Sequence, residues 1–578
     1  MNILGLCGSI GWDGNIPFFV EGLNSDFWIH GSGATLIMDG ELKNSMCEER
    51  FSRIKYDGAY PKLAIQTILD NNKITKHDID VVVYVCSHIE INLALRQKGY
   101  ISTKIKEYFP NCTVEYLPHH VAHAAATFYT SGFEEANILS FDGAGDHEVQ
   151  PNGQLLICHF KFLSGKGSKL IEHQSAFGHY GPMDNSFGNI YSYFSEFAYK
   201  KKMNLAPNTG NKILEESYPG RIMGLAAYGD HTKIDIPEIF TLERNKQTYN
   251  DGWDESFPQL RCQQPSTPSH ELTALNPDDL AAWSQNQFEK YLSLFLDNIP
   301  ENLKNDNLCL GGGCALNILA NTKIVEQGIY KNLHVNTAPN DDGLCLGAAL
   351  YMAAKYEKTR PILPDDIGYL GINYSDEDIE YSLQPIDSQV LEYEKFDDFL
   401  DLCKRVVKDL KDNKVVAWFQ DKSEFGPRAL GNRSLLVNPI FDNKDYLNNE
   451  VKYREYWRPY APMVIEEEVK DWFTLPVDKS PHMLFNSWVV EDKKERIPSV
   501  VHEDGSARVQ TVSEINNRKV YMLLQEFFKE TEVPVLLNTS FNLGGEPIVE
   551  SPADAVRTFT NSNIDVLVIQ NYYCRKKD

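Results

Sequence analysis

Several features that would define a class of protein are missing from this sequence of 578 residues. No segment approaches the roughly 18 consecutive apolar residues of a membrane span, so no membrane partner is expected. None of the eleven cysteines forms a CxxC pair, which argues against a zinc ribbon and against a disulfide scaffold. The first residues, MNILGLCGSIGWDGN, lack the basic start and the long apolar run of a signal peptide. Scattered cysteines without a leader predict a cytoplasmic protein with reduced thiols.

Positive charge is also scarce. The chain has 56 Lys and Arg against 81 Asp and Glu, a formal net charge of −25. A general nucleic-acid binder would show a basic field, so no nucleic-acid partner is expected. An acidic protein would suit a cationic small substrate, although many soluble proteins are equally acidic.

The order of predicted elements is that of an α/β protein. NILGLC, ATLIMDGEL, VVVYVC, TVEYL and NILSFDG read as strands, and YPKLAIQTILDNN and ISTKIKEYF as helices. Residues 240–280 lack periodicity and are predicted to be a loop excursion. A long amphipathic helix, DDLAAWSQNQFEKYLSLFLDNI, then leads to two units of strand, Gly-containing turn and helix. The Pro-containing stretch TRPILPDDIGYLGINY predicts a boundary near 365–385, and the second half is again α/β, with helix 397–413 and strands KVVAWFQ and VPVLLN.

Three histidines cluster in PHHVAHAAATFY, which is predicted to be helical from residue 119 because Pro118 favours a helix start. His119 and His123 are four residues apart and share one face, a spacing that lets two imidazoles hold a transition metal. His120 is three residues from His123 and could share that face. Asp142 and Asp341 are candidate further ligands, and a His₂Asp₂ set would suit Fe, Mn or Zn. The alternative is a set of hydrogen-bonded core histidines.

Glycine-rich turns follow three predicted strands. They are HGSGAT at residues 30–35, the turn Gly143–Asp146, and Gly311–Gly313. Such turns expose backbone N–H groups that can bind phosphate. Three of them at strand ends suggest a split nucleotide-binding fold of the actin and hexokinase type.

The C-terminal half is rich in arginine within Gly-, Pro- and Asn-containing motifs. EFGPRALGNRS carries Arg428 and Arg433, VKYREYWRPYAP carries Lys452, Arg454 and Arg458, DGSARVQTV carries Arg508, and VPVLLNTSFNLGGEPIVE carries Asn538, Ser540, Asn542 and Glu546. Guanidinium groups match phosphate and carboxylate oxygens bidentately. We therefore expect a site for small, strongly anionic substrates such as ATP with an acyl phosphate. Surface ion pairing with the abundant Asp and Glu is the alternative.

Taken in order, these motifs resemble the carbamoyltransferases of natural products, such as the tobramycin and nodulation-factor O-carbamoyltransferases. The stretches that carry the resemblance run from about residue 30 to 560 and include EERFSRIKYDGAYP, HHVAHAAATFYTSGF, FDGAGD, LGGGCALN, NDDGLCLGAAL, FGPRALGNRS, KYREYWRPYAP, GSARVQTV and LLNTSFNLGGEPIV. The resemblance implies an N-terminal actin-like (ASKHA) metal-binding domain over residues 1–370 and a C-terminal YrdC-like α/β domain over 371–578. It implies that carbamoyl phosphate and ATP, with Mg²⁺, give a carbamoyl-adenylate, whose carbamoyl group passes to a hydroxyl of a small natural product. It also implies a homodimer.

The same resemblance assigns roles to individual residues. It makes the metal ligands His119, His123, Asp142 and Asp341, with Fe²⁺ expected and Mn²⁺ or Zn²⁺ possible. It places Gly143, Gly145, Gly312 and Asn317 along the nucleotide. It assigns carbamoyl phosphate and the ATP phosphates to Arg428, Lys452, Arg458, Arg508 and Asn538, with Ser540 beside them. His30, in HGSGAT, falls beside the adenylate and is the candidate base for the acceptor hydroxyl.

A protein thiol and a tRNA are the alternative carbamoyl acceptors to a small molecule. S-carbamoylation, as in hydrogenase maturation, would bring an acylphosphatase module and CxxC zinc motifs, which are not seen. Threonylcarbamoylation of tRNA fits poorly with the acidic charge and the fused Arg-rich half. Residues 8–28, with several aromatic and acidic side chains, depart from the family pattern; they are expected to shape the acceptor pocket or to form a packed surface flap.

Overall fold

The structure is a computed structural model that describes residues 1–8, 31–86, 98–149, 155–179, 186–206, 218–236, 240–243, 259–262, 272, 274–384 and 391–577. It is a mixed α/β protein, as expected from the alternation of strands and helices. The chain divides into an N-terminal unit, Met1–Ser52 with Tyr56–Pro364, and a C-terminal unit, Arg53–Lys55 with Asp365–Asp578. Three residues from the first tenth of the sequence thus belong to the C-terminal unit.

The first sheet of the N-terminal unit has five strands. Their spatial order is Glu41–Cys47, Gly33–Met38, Asn2–Cys7, Val81–Cys86 and Thr113–Pro118. The first three strands are antiparallel neighbours, whereas Asn2–Cys7, Val81–Cys86 and Thr113–Pro118 pair in parallel. The sheet is therefore a three-stranded antiparallel meander extended by two parallel crossover strands.

The predicted single strand ATLIMDGEL is wrong in one respect, because it is two strands. Gly33–Met38 and Glu41–Cys47 form a hairpin around Asp39 and Gly40. Both turn residues have positive φ, 49° and 78°, the combination that a two-residue hairpin turn requires and that Asp-Gly supplies most readily. The dipeptide was the signal for the reversal.

The second sheet of this unit places two candidate ligand segments side by side. Its main order is Asn332–Val335, Asn307–Gly311, Glu135–Phe141, Leu155–Lys166 and His147–Val149, and Lys169–His179 also pairs with Leu155–Lys166. Strand Asn307–Gly311 is parallel to Glu135–Phe141. The turns that follow these two strands therefore lie at the same edge of the sheet.

Two helices join the two sheets. His119–Thr130 packs on the second sheet, Leu344–Glu357 packs on the first, and the helices pack on each other. A Cβ on Gly347 would lie 1.9 Å from the carbonyl oxygen of Ala122, so only glycine allows the observed approach. That approach brings the start of one helix close to the start of the other.

The remaining described elements of the N-terminal unit are mostly helical. The further helices are Glu49–Ser52, Lys62–Asn71, Lys98–Tyr108, Phe187–Lys202, Tyr218–Leu225, Pro277–Asp297 and Ile318–Gln327. Pro277–Asp297 confirms the predicted long helix, and Asn276 caps it through its side-chain oxygen. Strands Phe240–Glu243 and Gln259–Cys262 form a small ribbon within the predicted excursion, much of which lies outside the described residues.

The C-terminal unit is built on an eight-stranded mixed sheet. The strand order is Leu391–Lys395, Tyr572–Lys576, Val566–Ile569, Val416–Phe419, Arg433–Val437, Val535–Ser540, Ala461–Ile465 and Gln510–Val512. Helices Phe399–Lys411 and Arg518–Thr531 pack together, as do Asp376–Leu383 and Pro552–Thr560. Strands Val416–Phe419 and Val535–Ser540 confirm the two strands predicted here.

Smaller elements complete this unit. Strands Phe473–Thr474, Ser487–Val489 and Ser506–Ala507 form a second sheet, and short helices span Lys444–Tyr446 and Val469–Trp472. A π-helical turn, Leu447–Lys452, ends at Tyr453, which has a left-handed φ of 47°. Within the described ranges, no helix is both long and apolar enough to cross a bilayer.

Candidate metal centre and cationic cluster

Two histidines occupy the first turns of the helix His119–Thr130. The helix begins directly after Pro118, whose extended conformation ends the preceding strand. His119 and His123 are both buried, and their Nε2 atoms lie 3.0 Å apart. The four-residue spacing thus makes the two imidazoles converge on one point, as the sequence predicted.

Two aspartates complete a four-ligand cluster with these histidines. Asp142 follows strand Glu135–Phe141, and Asp341 begins the turn that leads into helix Leu344–Glu357. From His123 Nε2, the carboxylate oxygens of Asp142 and Asp341 are both 3.4 Å away. One ligand atom from each of the four residues lies within 4.8 Å of the others.

Glycine backbone fixes the orientation of Asp142. Its Oδ2 accepts a hydrogen bond from the N–H of Gly313 at 2.8 Å, and its Oδ1 accepts one from the N–H of Gly143 at 2.7 Å. Gly312 has a φ of 91°, and a Cβ there would lie 2.0 Å from the carbonyl oxygen of Phe141. The Gly311–Gly313 turn therefore needs glycine to reach the carboxylate.

The histidines and the aspartates of the cluster shift each other's pKa values. Burial disfavours protonation of His123, but Asp142 and Asp341 outweigh it and raise its pKa to about 9. Burial likewise disfavours ionisation of Asp142, yet His119 and His123 hold its pKa well below the usual range. The buried Asp341 carboxylate and the half-buried Asp142 carboxylate, facing two imidazoles, form a site that attracts positive charge. Two nitrogen and two oxygen donors are a set that Fe²⁺, Mn²⁺ or Zn²⁺ accepts.

The C-terminal unit contains a cationic cluster, formed by Arg428, Lys452, Arg454, Arg458 and Arg508. Burial and then Arg428, Arg454 and Arg458 lower the pKa of Arg508. Because an arginine keeps its charge in proteins, this crowding leaves several positive charges facing one another. The cluster is suited to a polyanionic ligand, whose oxygens would relieve the repulsion.

Lys452 is the buried member of the cationic cluster. Its Nζ donates to Asn542 Oδ1 at 2.6 Å, to the Asn542 carbonyl at 2.9 Å and to the Ser540 carbonyl at 2.8 Å. Burial, followed by the charges of Arg454, Lys55 and Arg458, lowers the pKa of Lys452 well below its usual value. Lys452 is thus held rigidly by the loop that follows strand Val535–Ser540.

Comparison with known proteins gives the family. The model of the carbamoyltransferase N-terminus matches residues 101–350, and that of the carbamoyltransferase C-terminus matches 407–576. The chain is 33% identical over 580 residues to nodulation protein NolNO of Sinorhizobium fredii (strain NBRC 101917 / NGR234), covering 95% of this chain and 79% of the relative. The chain belongs to the carbamoyltransferase family. It is a carbamoyltransferase enzyme, and the resemblance drawn from the motifs is confirmed.

Other relatives of this carbamoyltransferase are similar over much of their length. Nodulation protein NolO of Bradyrhizobium diazoefficiens (strain JCM 10833 / BCRC 13528 / IAM 13628 / NBRC 14792 / USDA 110) is 32% identical over 80% of this chain and 79% of its own. Among solved structures, full-length HypF in a phosphate- and nucleotide-bound form aligns with a TM-score of 0.32 and 13% identity, over 57% of this chain and 46% of that chain.

The carbamoyltransferase uses His120 differently from its neighbours. Its Nδ1 is 3.0 Å from Ser140 Oγ and its Nε2 is 3.0 Å from the Cys158 carbonyl. Burial, and then His119 and His123, lower its pKa well below the usual value. Both ring nitrogens are therefore occupied within the protein, and His120 braces the helix against the second sheet. Of the three histidines, His119 and His123 are the two that lie beside Asp142 and Asp341, and their role as metal ligands stays a prediction.

Of the residues predicted to line a nucleotide, Gly143, Gly145 and Gly312 lie next to the four-ligand cluster. The carbonyl of Gly143 accepts hydrogen bonds from His159 Nδ1 at 2.9 Å and from Ser186 Oγ at 3.0 Å. Asn317 caps helix Ile318–Gln327 and exchanges two hydrogen bonds with Gln285, at 2.9 and 3.0 Å. The side-chain amide of Asn317 is thus hydrogen-bonded within the protein. That these residues bind a nucleotide stays a prediction.

Gly145 lies directly beneath the histidine rings. A Cβ there would be 2.5 Å from His120 Nε2 and 2.9 Å from His119 Cδ2. Its missing side chain therefore serves ring packing in this structure. His30 and residues 9–28 of the segment 8–28 lie outside the described residues.

Asn538 and Ser540, predicted to bind the anionic substrates, lie in the C-terminal sheet beside the cationic cluster. Asn538 Nδ2 donates to the Ala429 carbonyl at 3.0 Å and to Gln510 Oε1 at 2.8 Å. Its buried Oδ1 has no hydrogen-bond partner among the described residues. Ser540 Oγ donates to Asn542 Oδ1 at 2.7 Å. Among the described residues, Asn538 Oδ1 is therefore an acceptor that a ligand N–H could use.

Arg433, although it shares a motif with Arg428, is a structural residue. Its side chain is completely buried, and its guanidinium donates to the carbonyl oxygens of Gln420 at 2.6 Å and Asn432 at 3.0 Å. The guanidinium also stacks 3.5 Å from the ring centroid of Phe419. Glycine- and arginine-rich composition alone could not separate it from Arg428.

Lys55 lies near the cationic cluster, and sequence reasoning did not predict this. Its charge contributes to the lowered pKa of Lys452. The adjoining Arg53 ties this segment to the C-terminal unit by donating to the Ile548 carbonyl at 2.6 Å and the Pro547 carbonyl at 2.8 Å. Arg53 and Lys55 both stand in the motif EERFSRIKYDGAYP, but nothing local indicated that they belong to the unit whose main segment begins at Asp365.

Proposed function

We propose that this carbamoyltransferase is an ATP-dependent O-carbamoyltransferase that works in two steps. In the first, carbamoyl phosphate loses phosphate to water, and the resulting carbamate attacks the α-phosphate of ATP, giving carbamoyl-adenylate and pyrophosphate. In the second, a hydroxyl of a small natural product attacks the carbamoyl carbon and AMP leaves. The first step is assigned to the C-terminal unit, which the sequence relates to the YrdC type, and the second to the N-terminal, actin-like unit.

The observation that carries the proposal is that each unit contains one chemically distinct site. The cationic cluster of Arg428, Lys452, Arg454, Arg458 and Arg508 suits the several negative charges of carbamoyl phosphate and ATP–Mg²⁺. The four-ligand cluster suits a single divalent cation. A one-step transfer would not require both.

Individual side chains of the cationic cluster support separate parts of the first step. The guanidiniums offset charge as pyrophosphate forms, since their positions are fixed before substrate binds. Arg454 is preorganised in this way, with its Nε bonded to Asn448 Oδ1 at 3.0 Å and its guanidinium 4.1 Å from the Tyr460 ring centroid. Asn538 Oδ1 is a suitable acceptor for the amide N–H of the carbamoyl group.

The four-ligand cluster supports the second step. A divalent metal held by His119, His123, Asp142 and Asp341 would supply Lewis acidity toward an adenylate phosphate. The backbone N–H groups of Gly143 and Gly313 hold the Asp142 carboxylate in its ligand orientation. His30 is proposed as the base that takes the acceptor proton. The net charge of −25 favours a cationic acceptor, such as an aminoglycoside or a guanidinium alkaloid.

The test is pyrophosphate release from ATP–Mg²⁺, measured with and without carbamoyl phosphate and without any acceptor. We expect release that depends strictly on carbamoyl phosphate. Arg508→Ala should reduce kcat/KM for carbamoyl phosphate roughly 10- to 100-fold, because a hydrogen bond to a charged group is lost. Arg518→Ala is the matched control, since Arg518 belongs to the same unit and its side chain is 74% exposed. Pyrophosphate release that is equally fast without carbamoyl phosphate, or no pyrophosphate release at all, contradicts the proposal.

A further inference from the structure

The second aspartate of FDGAGD lies at the start of the histidine helix but is not one of the four ligands. Asp146 Oδ1 accepts a hydrogen bond from the backbone N–H of His119 at 2.5 Å, and Oδ2 accepts one from the N–H of His120 at 3.3 Å. A single carboxylate therefore holds two successive N–H groups of the first helical turn, although it comes from a different segment of the chain.

The helix has no local substitute for this carboxylate. The first N–H groups of any helix lack partners within the helix, and they are usually satisfied by a side chain at the N-cap position. Here the N-cap residue is Pro118, which makes no side-chain cap. A carboxylate at this end is also favoured by the helix dipole. Asp146 supplies both the missing acceptors and the negative charge.

The backbone around Asp146 is fixed to the second sheet. The carbonyl of Asp146 accepts from the N–H of Cys158 at 2.7 Å, and the carbonyl of Cys158 lies 3.0 Å from His120 Nε2. The preceding Gly145 lets this turn pass directly beneath the rings of His119 and His120. The turn, the strand and the helix start are therefore connected through one residue.

We propose that Asp146 is a positioning residue for the metal centre: it fixes the start of the helix so that His119 meets His123, Asp142 and Asp341 at one point. The inference rests on the metal-binding part of the proposed function. His119 is the ligand most dependent on it, because it is the first residue of the helix and its own N–H is bonded to Asp146. Without Asp146, all four ligands remain in the chain, but the first turn is free to shift.

The experiment compares metal affinity in full-length wild type, Asp146→Ala and Asp146→Asn, using Co²⁺ as the probe and competition with a chelator as the readout. Asp146→Ala should raise the Kd for Co²⁺ about 10- to 100-fold, the effect typical of residues that orient metal ligands. It should also change the visible absorption of bound Co²⁺, because the ligand geometry changes. Asp146→Asn should recover part of the affinity, since its one oxygen can still accept from His119.

Two controls separate positioning from a general loss of stability. Asp398→Ala removes another helix-capping aspartate, one that accepts from the N–H of Leu400 in the C-terminal unit, and it should leave the Co²⁺ Kd and spectrum unchanged. Carbamoyl-phosphate-dependent pyrophosphate release should be the same in wild type and all three variants.

Co²⁺ affinity and spectrum of Asp146→Asn and Asp146→Ala equal to those of wild type would overturn the inference. If Asp146→Ala does not fold, Asp146→Asn decides: a weaker affinity with an altered spectrum supports positioning, and wild-type values contradict it. If wild-type protein binds no Co²⁺, the four-ligand cluster is not a metal centre and the inference fails with it. If wild-type protein releases no pyrophosphate, only the proposed first step is contradicted.

Discussion

His119 and His123 hold their Nε2 atoms 3.0 Å apart inside a shell of two carboxylates. Two nitrogens at that distance cannot both carry a proton pointing at the other. The structure thus gathers lone pairs and negative charge at one buried point. Such an arrangement is suited to a divalent cation.

Removal of one ligand should abolish tight metal binding without affecting the first half-reaction. His123→Ala takes away the imidazole nearest to both carboxylates. We expect it to raise the Kd for Co²⁺ more than about 100-fold, which is more than the loss of a residue that only orients a metal ligand. Chelator competition measures it. Pyrophosphate release should be unchanged, because the cationic cluster is intact. Stoichiometric, tightly held metal in this variant would show that the cluster is not the binding site.

The cationic cluster should reduce stability in the absence of substrate. Arg508 faces Arg428, Arg454 and Arg458, and these like charges lower its pKa. Arg508→Met should therefore raise the melting temperature of the substrate-free enzyme, by the equivalent of about 1 kcal/mol, a usual gain when a functional site is relieved of strain. Carbamoyl phosphate should stabilise wild type but not the variant. A lower melting temperature for substrate-free Arg508→Met would contradict the crowding of charge.

The affinity for anionic substrate should depend on the charge of Lys452. Burial and nearby cations lower the pKa of Lys452 in the free enzyme, and a bound anion would raise it again. Binding then takes up a proton at any pH between the free and bound pKa values. Affinity should be highest below the free-enzyme pKa and should fall as pH rises through that interval. Titration with carbamoyl phosphate at several pH values measures the slope, which Lys452→Met should flatten; an identical slope in the variant would exclude Lys452 as its source.

Gly312 should tolerate no side chain. With a φ of 91° and only 2.0 Å between a Cβ and the Phe141 carbonyl, Gly312→Ala should cost about 2–4 kcal/mol of stability. Gly328→Ala is the matched control, because its φ is 66° but nothing lies within 4 Å of the added Cβ, so the cost should be about 1 kcal/mol. Thermal unfolding compares them. Equal losses would mean that close approach to Phe141 is not what the turn requires.

The sequence predicted those features that depend on neighbours along the chain. The four-residue spacing of His119 and His123 predicts that they share one helical face, and the turn residues Asp39 and Gly40 could have predicted the hairpin. His120 was ambiguous because its role depends on Ser140 and Cys158, which reach it only through strand pairing. These contacts are set by packing of the helix on the second sheet.

Contacts between residues that are far apart in the sequence could not be predicted either. Arg433 and Arg428 share one motif, and nothing in that motif shows that the Arg433 guanidinium bonds to carbonyl oxygens and stacks on Phe419. Lys55 and Asp146 lie in the motifs EERFSRIKYDGAYP and FDGAGD, but the residues that they act on are distant in the sequence. The candidate metal ligands were named from the family resemblance, and their convergence on one point is a property of the fold.

The most direct test of the proposed two-step reaction is isolation of the intermediate. Wild-type enzyme would be mixed with ATP–Mg²⁺ and ¹⁴C-labelled carbamoyl phosphate without an acceptor, and then separated rapidly from free substrates. We predict that ¹⁴C and adenosine remain with the protein in equal amounts, as carbamoyl-adenylate, and that Arg508→Ala, sampled at the same early time, retains roughly 10- to 100-fold less of both. Label bound without adenosine, or no bound label despite pyrophosphate release, would contradict transfer through an adenylate.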